Sequence, residues 1–188
     1  MSEYSRIRRQ QLVREAEGYL DLAGMFADRW PLPKDLRDRL ALRALETLHR
    51  TSATGSNRAH VLLLIGQAYR VMERYAEAIE PLTRASDLEP ESPVNWLALA
   101  WCYKRIGRLD LAIDALEHAL LADDQVAIVH YNLACYWALS ENAGLAVSHL
   151  SLAFELDPGY RERVSSETDF DPIRADPQFR ALLSSVIV

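Results

Sequence analysis

The residues that could do chemistry in this 188-residue chain are few, and their spacing argues against most chemistries. Five histidines are present, at 49, 60, 118, 130 and 149. None belongs to an H-E-x-x-H motif or to a Cys/His cluster, the spacings that bring imidazoles and thiolates onto one ion. The two cysteines, Cys102 and Cys135, lack a CxxC spacing and read as reduced thiols of a cytoplasmic protein. Asp123 and Asp124 imitate a carboxylate pair, but neighbours in a linker point to solvent. No serine or threonine stands in a nucleophile elbow, and no glycine-rich loop could cradle a phosphate. The expectation is therefore of a protein that is no enzyme, with no catalytic residue, no cofactor and no metal.

Charge narrows the partners. The formal net charge of −6 is unevenly spread. Residues 1–58 carry 11 basic and 8 acidic side chains, a net of +3, and the remainder carries −9. Nucleic acid binding needs clustered positive charge, which an acidic carboxyl-terminal two-thirds does not supply. Arginine outnumbers lysine 19 to 2, which reads as a composition bias of a bacterial genome. The first ten residues have no apolar run behind their charges, so no secretory signal is expected, and no window approaches the roughly 18 apolar residues of a membrane span.

The elements that position these residues repeat. Segments starting at Ala59, Pro93 and Ala127 align at a spacing of 34 without a gap. The fourth place holds Leu62, Trp96 and His130, so His130 reads as a packed core histidine. The seventh holds Ile65, Leu99 and Leu133, and the eighth Gly66, Ala100 and Ala134. The eleventh is aromatic: Tyr69, Tyr103 and Trp137. Ala78, Ala112 and Ala146 fill the twentieth place, Leu82, Leu116 and Leu150 the twenty-fourth, Ala85, Ala119 and Ala153 the twenty-seventh. The thirty-second holds Pro90, Asp124 and Pro158. Apolar residues at intervals of three and four make each repeat two amphipathic helices. Small residues at places 8 and 20 allow the two to approach closely.

This pattern resembles the tetratricopeptide repeat, a 34-residue helix–turn–helix unit. The resemblance implies an all-α fold, a solenoid of helical hairpins wound as a right-handed superhelix, with terminal capping helices. Three repeats are expected at 59–92, 93–126 and 127–158. Residues 1–52 read as a degenerate hairpin of helices 3–27 and 33–50, joined by a loop at Arg29–Pro33; an arm lying on the array or in its groove is the alternative. Thr51–Asn57 reads as a polar turn. Residues 159–188 read as capping helices, with Asp171–Pro172 and Asp176–Pro177 each starting a helix and Phe170, Ile173, Phe179, Leu182 and Leu183 covering the last repeat. Glu73 and Glu141 stand where the middle repeat has Gly107, so turns of different shape are expected. Asp124 in place of proline predicts a looser junction, and Pro81 predicts a bend near Glu77 unless it lies near the helix start.

In this family the first helix of each repeat lines a concave face through places 2, 5, 9, 12 and 13. Carried over, those places are His60, Leu63, Gln67, Arg70 and Val71, then Val94, Leu97, Trp101, Lys104 and Arg105, then Ile128, Tyr131, Cys135, Ala138 and Leu139. The set is mostly apolar with a cationic edge, the composition favoured at binding hot spots. The family's carboxylate clamp for chaperone tails is missing, because its places hold Leu63, Gln67, Ala98, Ile128 and Asn132. The resemblance thus implies a cytoplasmic adaptor or scaffold for a protein or peptide partner. A secretion-type chaperone for a hydrophobic segment and a self-assembling homo-oligomeric scaffold are the alternatives, with neither nucleic acid nor membrane as partner.

Overall fold

A computed structural model describes residues 3–24, 32–51 and 58–184. Most of the expected loop at Arg29–Pro33, all but Thr51 of the expected turn at Thr51–Asn57, and Phe26, which the spacing puts on the apolar side of the first helix, lie outside these residues. The described residues form ten α-helices and one 3-10 turn, the all-α, helix–turn–helix repeat class with terminal capping helices. Two compact units are formed, Met1–Pro90 and Glu91–Val188.

The first unit holds α1 (Glu3–Gly24), α2 (Lys34–His49), α3 (Arg58–Val71) and α4 (Tyr75–Leu88). Helices α1 and α2 pair as a hairpin, α3 and α4 as another, and α3 packs on both α1 and α2. Val13, Ala16, Leu20, Ala44, Leu45, Leu48, Val61 and Leu64 join in one apolar core. Leu36 and Leu40 are only half-buried, while Ala41 is buried. Ala44, Leu48 and Thr51 are all buried and follow the spacing of places 20, 24 and 27. Pro81 lies inside α4 and is buried, so the helix runs through it and Glu77 forgoes one backbone donor.

The second unit holds α5 (Pro93–Arg105), α6 (Leu109–Ala122), α7 (Ala127–Leu139), α8 (Ala143–Leu156), α9 (Tyr160–Val164), a 3-10 turn (Thr168–Ile173) and α10 (Pro177–Ser184). Here α5 pairs with α6 and α7 with α8, while α6 packs on α7. Places 20, 24 and 27 are fully buried in all three repeats. The reason for a small eighth place is visible at Gly66, where an added Cβ would lie 2.4 Å from Leu82 Cγ.

The three hairpin corners have one shape, contrary to the difference expected from Glu73 and Glu141. Glu73 (φ 60°), Gly107 (φ 79°) and Glu141 (φ 57°) all adopt the left-handed conformation. At each corner this residue's N–H donates three residues back, to Arg70, Lys104 or Ala138. The next N–H donates five back, to Tyr69, Tyr103 or Trp137, at 2.9 Å each time. These bonds satisfy carbonyls that the helix end leaves open, and two glutamates accept an unfavourable φ to make them. The junction at Asp124 is also tied where looseness was expected: Gln125 donates its backbone N–H to Asp123 (2.9 Å) and its side-chain amide to Asp124 (2.8 Å).

Candidate functional site

The places expected to line a concave face have three different fates. On α3, His60 Nε2 lies 2.7 Å from Glu17 of α1. Leu63 is buried, and Gln67, Arg70 and Val71 are half-buried. Leu63 is therefore core and not contact surface, because α3 is packed against α1 and α2.

On α5, Val94 is 54% exposed and Arg105 is exposed, while Leu97 and Trp101 are half-buried. The Arg105 guanidinium lies over the Trp101 ring, 5.5 Å from its centroid, within the range of a cation–π attraction. These four residues fall at intervals of three, four and four, so they share one helix face. Ser92 is in the N-cap position ahead of Pro93, but its side chain makes no capping bond.

On α7 the expectation of an open surface is overturned for Tyr131, Cys135 and Ala138, which are buried; Ile128 and Leu139 stay half-buried. The cause is the carboxyl-terminal cap. Its 3-10 turn packs against α7, while α10 packs on α8. Tyr131 meets the Tyr160 ring at 4.7 Å and the edge of Phe170 at 5.8 Å, and Phe170 meets Phe179 at 5.4 Å. Lys104, expected at the cationic edge, donates to Asp169 and lies 5.7 Å from the Tyr136 ring. Burial, then the charges of Asp169 and Glu167, push the Cys135 thiol far above its ordinary range, so it is neutral.

Of the five apolar residues expected to cover the last repeat, Phe170, Ile173 and Phe179 are buried, Leu182 is half-buried and Leu183 is exposed. The sequence did not place Tyr160, Glu167 and Asp169 against α7, since these lie outside the 34-residue period. The available signal was charge: Lys104 faces a segment with acids on both sides of Phe170. The turn itself starts from Glu167, whose carboxylate accepts from Asp169 N at 3.2 Å, so Asp171–Pro172 falls inside it. Asp176 does cap α10, accepting from Gln178 N (2.8 Å) and Phe179 N (3.2 Å).

Among the described residues, the histidines make no convergent site with a nucleophile. His130 is buried, as its place in the repeat predicts; its Nε2 lies 3.0 Å from the Asp124 carbonyl and its Nδ1 3.1 Å from His149 Nδ1. The carbonyl can only accept, so Nε2 carries a proton, and in that tautomer Nδ1 accepts the N–H of His149. Desolvation, then His130, lower the His149 pKa.

Helical hairpins with one corner geometry, a sealed packing side and a variable front define a helical-repeat scaffold, a class whose members present surfaces for other proteins. Residues 72–134 match the tetratricopeptide repeat family model. The match covers 63 of the 188 residues, so tetratricopeptide repeats are shown for that segment of the chain. No curated protein matches it in sequence. Among solved structures, a crystal structure of MamA protein is 19% identical with a TM-score of 0.62, over 93% of this chain and 91% of that one. MamA 41-end from Desulfovibrio magneticus RS-1 is 15% identical with a TM-score of 0.57, over 85% and 98%. YrrB, described as a TPR protein with an unusual peptide-binding site, is 18% identical with a TM-score of 0.57, over 80% and 73%. At these identities the likeness is one of fold. Among the described residues, no helix is long and apolar enough to cross a membrane.

Proposed function

We propose that this chain is a cytoplasmic adaptor that holds an extended or helical segment of a protein partner against the front of α5. One observation carries this reading: Val94, Leu97, Trp101 and Arg105 share a face with its apolar residues partly open to solvent, whereas at the places of Leu97 and Trp101 the α7 residues Tyr131 and Cys135 are buried. An aromatic anchor beside an arginine suits a partner segment with an apolar side chain flanked by an acid. The description of YrrB as having a peptide-binding site supports peptide capture as a use of this fold.

A photo-crosslinking amino acid placed at position 97 tests the reading in cells of the source organism. The same amino acid at Glu117, exposed on α6, is the control. A partner crosslinked from 97 and not from 117 is expected, and its affinity falls when Trp101→Ala removes the anchor. A hot-spot residue is worth about 2 kcal/mol or more, roughly thirtyfold in Kd. Equal crosslinking from both positions, or an affinity unchanged by Trp101→Ala at intact helical content, overturns the reading. If the crosslinked product is a second copy of this chain, the self-assembling scaffold replaces the adaptor. If it is a hydrophobic segment of an exported protein, the secretion-type chaperone does.

A further inference from the structure

We propose that Cys135, Glu167 and Asp169 bind one divalent transition-metal ion of the zinc class, with Tyr131 serving the water that completes its coordination. The Cys135 sulfur and one carboxylate oxygen from each acid lie within 4.8 Å of one another. A tetrahedral zinc ion, with Zn–S near 2.3 Å and Zn–O near 2.0–2.2 Å, separates such atoms by roughly 3.5 Å. Side-chain rotation of about 1 Å closes the difference. The sulfur comes from α7, and both acids come from the chain that crosses it, two residues apart.

A second observation points to a ligand here. The Tyr131 hydroxyl is buried with no hydrogen-bond partner, on a residue 5% exposed. Tyr131 lies one helical turn before Cys135 on the same side of α7. An orphaned buried donor costs about 1–3 kcal/mol. A metal-bound water gives it an acceptor.

Charge balance agrees. Among the described residues, the Lys104 ammonium pairs with the Asp169 carboxylate, while the Arg174 guanidinium donates to the Glu167 backbone carbonyl at 2.8 Å. A divalent cation that displaces the thiol proton meets a thiolate and two carboxylates, three negative charges, against its own two positive charges and that of Lys104. One sulfur and two carboxylates favour a thiophilic ion over magnesium or calcium, which take oxygen ligands in larger number. An ion there would fasten the 3-10 turn to α7. This site is independent of the partner surface on α5.

The test is a cobalt titration of the full, reduced, metal-free chain. A thiolate-to-cobalt charge-transfer band in the near ultraviolet is expected to saturate at one equivalent and to vanish when Zn2+ is added. Cys135→Ser removes the band, Cys102→Ser keeps it, and Glu167→Gln weakens cobalt binding by about tenfold or more. No saturable band, a band that survives Cys135→Ser, or a band lost with Cys102→Ser overturns the proposal. Should Cys135→Ser fail to fold, Glu167→Gln decides, and unchanged affinity in that variant overturns it equally.

Discussion

The packing side of the hairpins and their front obey different rules, although the same helices supply both. Places 20, 24 and 27 carry the same residue types in each repeat and are fully buried in all three. Places 2, 5, 9, 12 and 13 differ in type and in fate: packed into the core at Leu63, partly open at Leu97, sealed by the cap at Tyr131. The packing side is decided inside one hairpin, by how closely two helices approach. The front is decided by whatever segment crosses it.

Changes to the cap should produce the largest effects if that contrast is right. Phe170→Ala removes a ring that is fully buried against Tyr131 and Phe179. The expected loss is about 3–5 kcal/mol in urea unfolding followed by circular dichroism, together with faster reaction of Cys135 with a thiol reagent. A variant with full stability and an inert thiol would mean that the cap is not what seals α7. On the packing side, Leu82→Ala, Leu116→Ala and Leu150→Ala should each cost about 2–5 kcal/mol, with similar values because all three are fully buried. A value below about 1 kcal/mol at one of them would break the equivalence of the repeats.

Gly66→Ala sharpens the same point at smaller scale. Its Cβ would meet Leu82 at 2.4 Å, so about 1–3 kcal/mol is the expected loss, although Ala100 and Ala134 are accommodated at the equivalent place. Glu141→Gly should raise stability by about 0.5–1 kcal/mol, because it relieves a positive φ. Glu73→Gly should gain less, since it also removes the 2.7 Å ion pair with Arg37. Thermal scans of the two variants, side by side, give the ordering.

The smallest effect is in pH. The His149 pKa is lowered in the folded chain, so the unfolded chain binds protons more readily. Its contribution is complete above the unfolded value of about 6.5 and is lost as pH falls through the lower folded one. His149→Gln should therefore narrow the drop in Tm between pH 7.5 and 5.5. An undiminished drop would place the sensitivity elsewhere.

The repeats were legible because helix packing inside a hairpin imposes a period, and Ala112 or Leu116 can be read from it without a structure. The corner at Glu141 was misread because side-chain type is a poor guide where backbone hydrogen bonds outweigh the cost of a left-handed residue. The front was half legible. Val94, Leu97 and Trp101 follow from repeat position alone, whereas the burial of Tyr131 and Cys135 depends on Phe170 and Asp169, more than thirty residues away and outside the period. A period reports what each unit does to itself and is silent about a segment that occurs once.

The shared corner carries a consequence of its own. Since main-chain atoms alone close each bend, the amino acids beside it are under little obligation to one another. A designer could exchange the Glu-Arg, Gly-Arg and Glu-Asn pairs among the three bends and keep the main-chain closure, giving up only side-chain bonds such as Arg37–Glu73, Arg74–Glu77, Arg108–Asp110 and the Asn142 cap on Leu145 N. The bend acts as an interchangeable fitting, and architectures built from such fittings can be lengthened one module at a time.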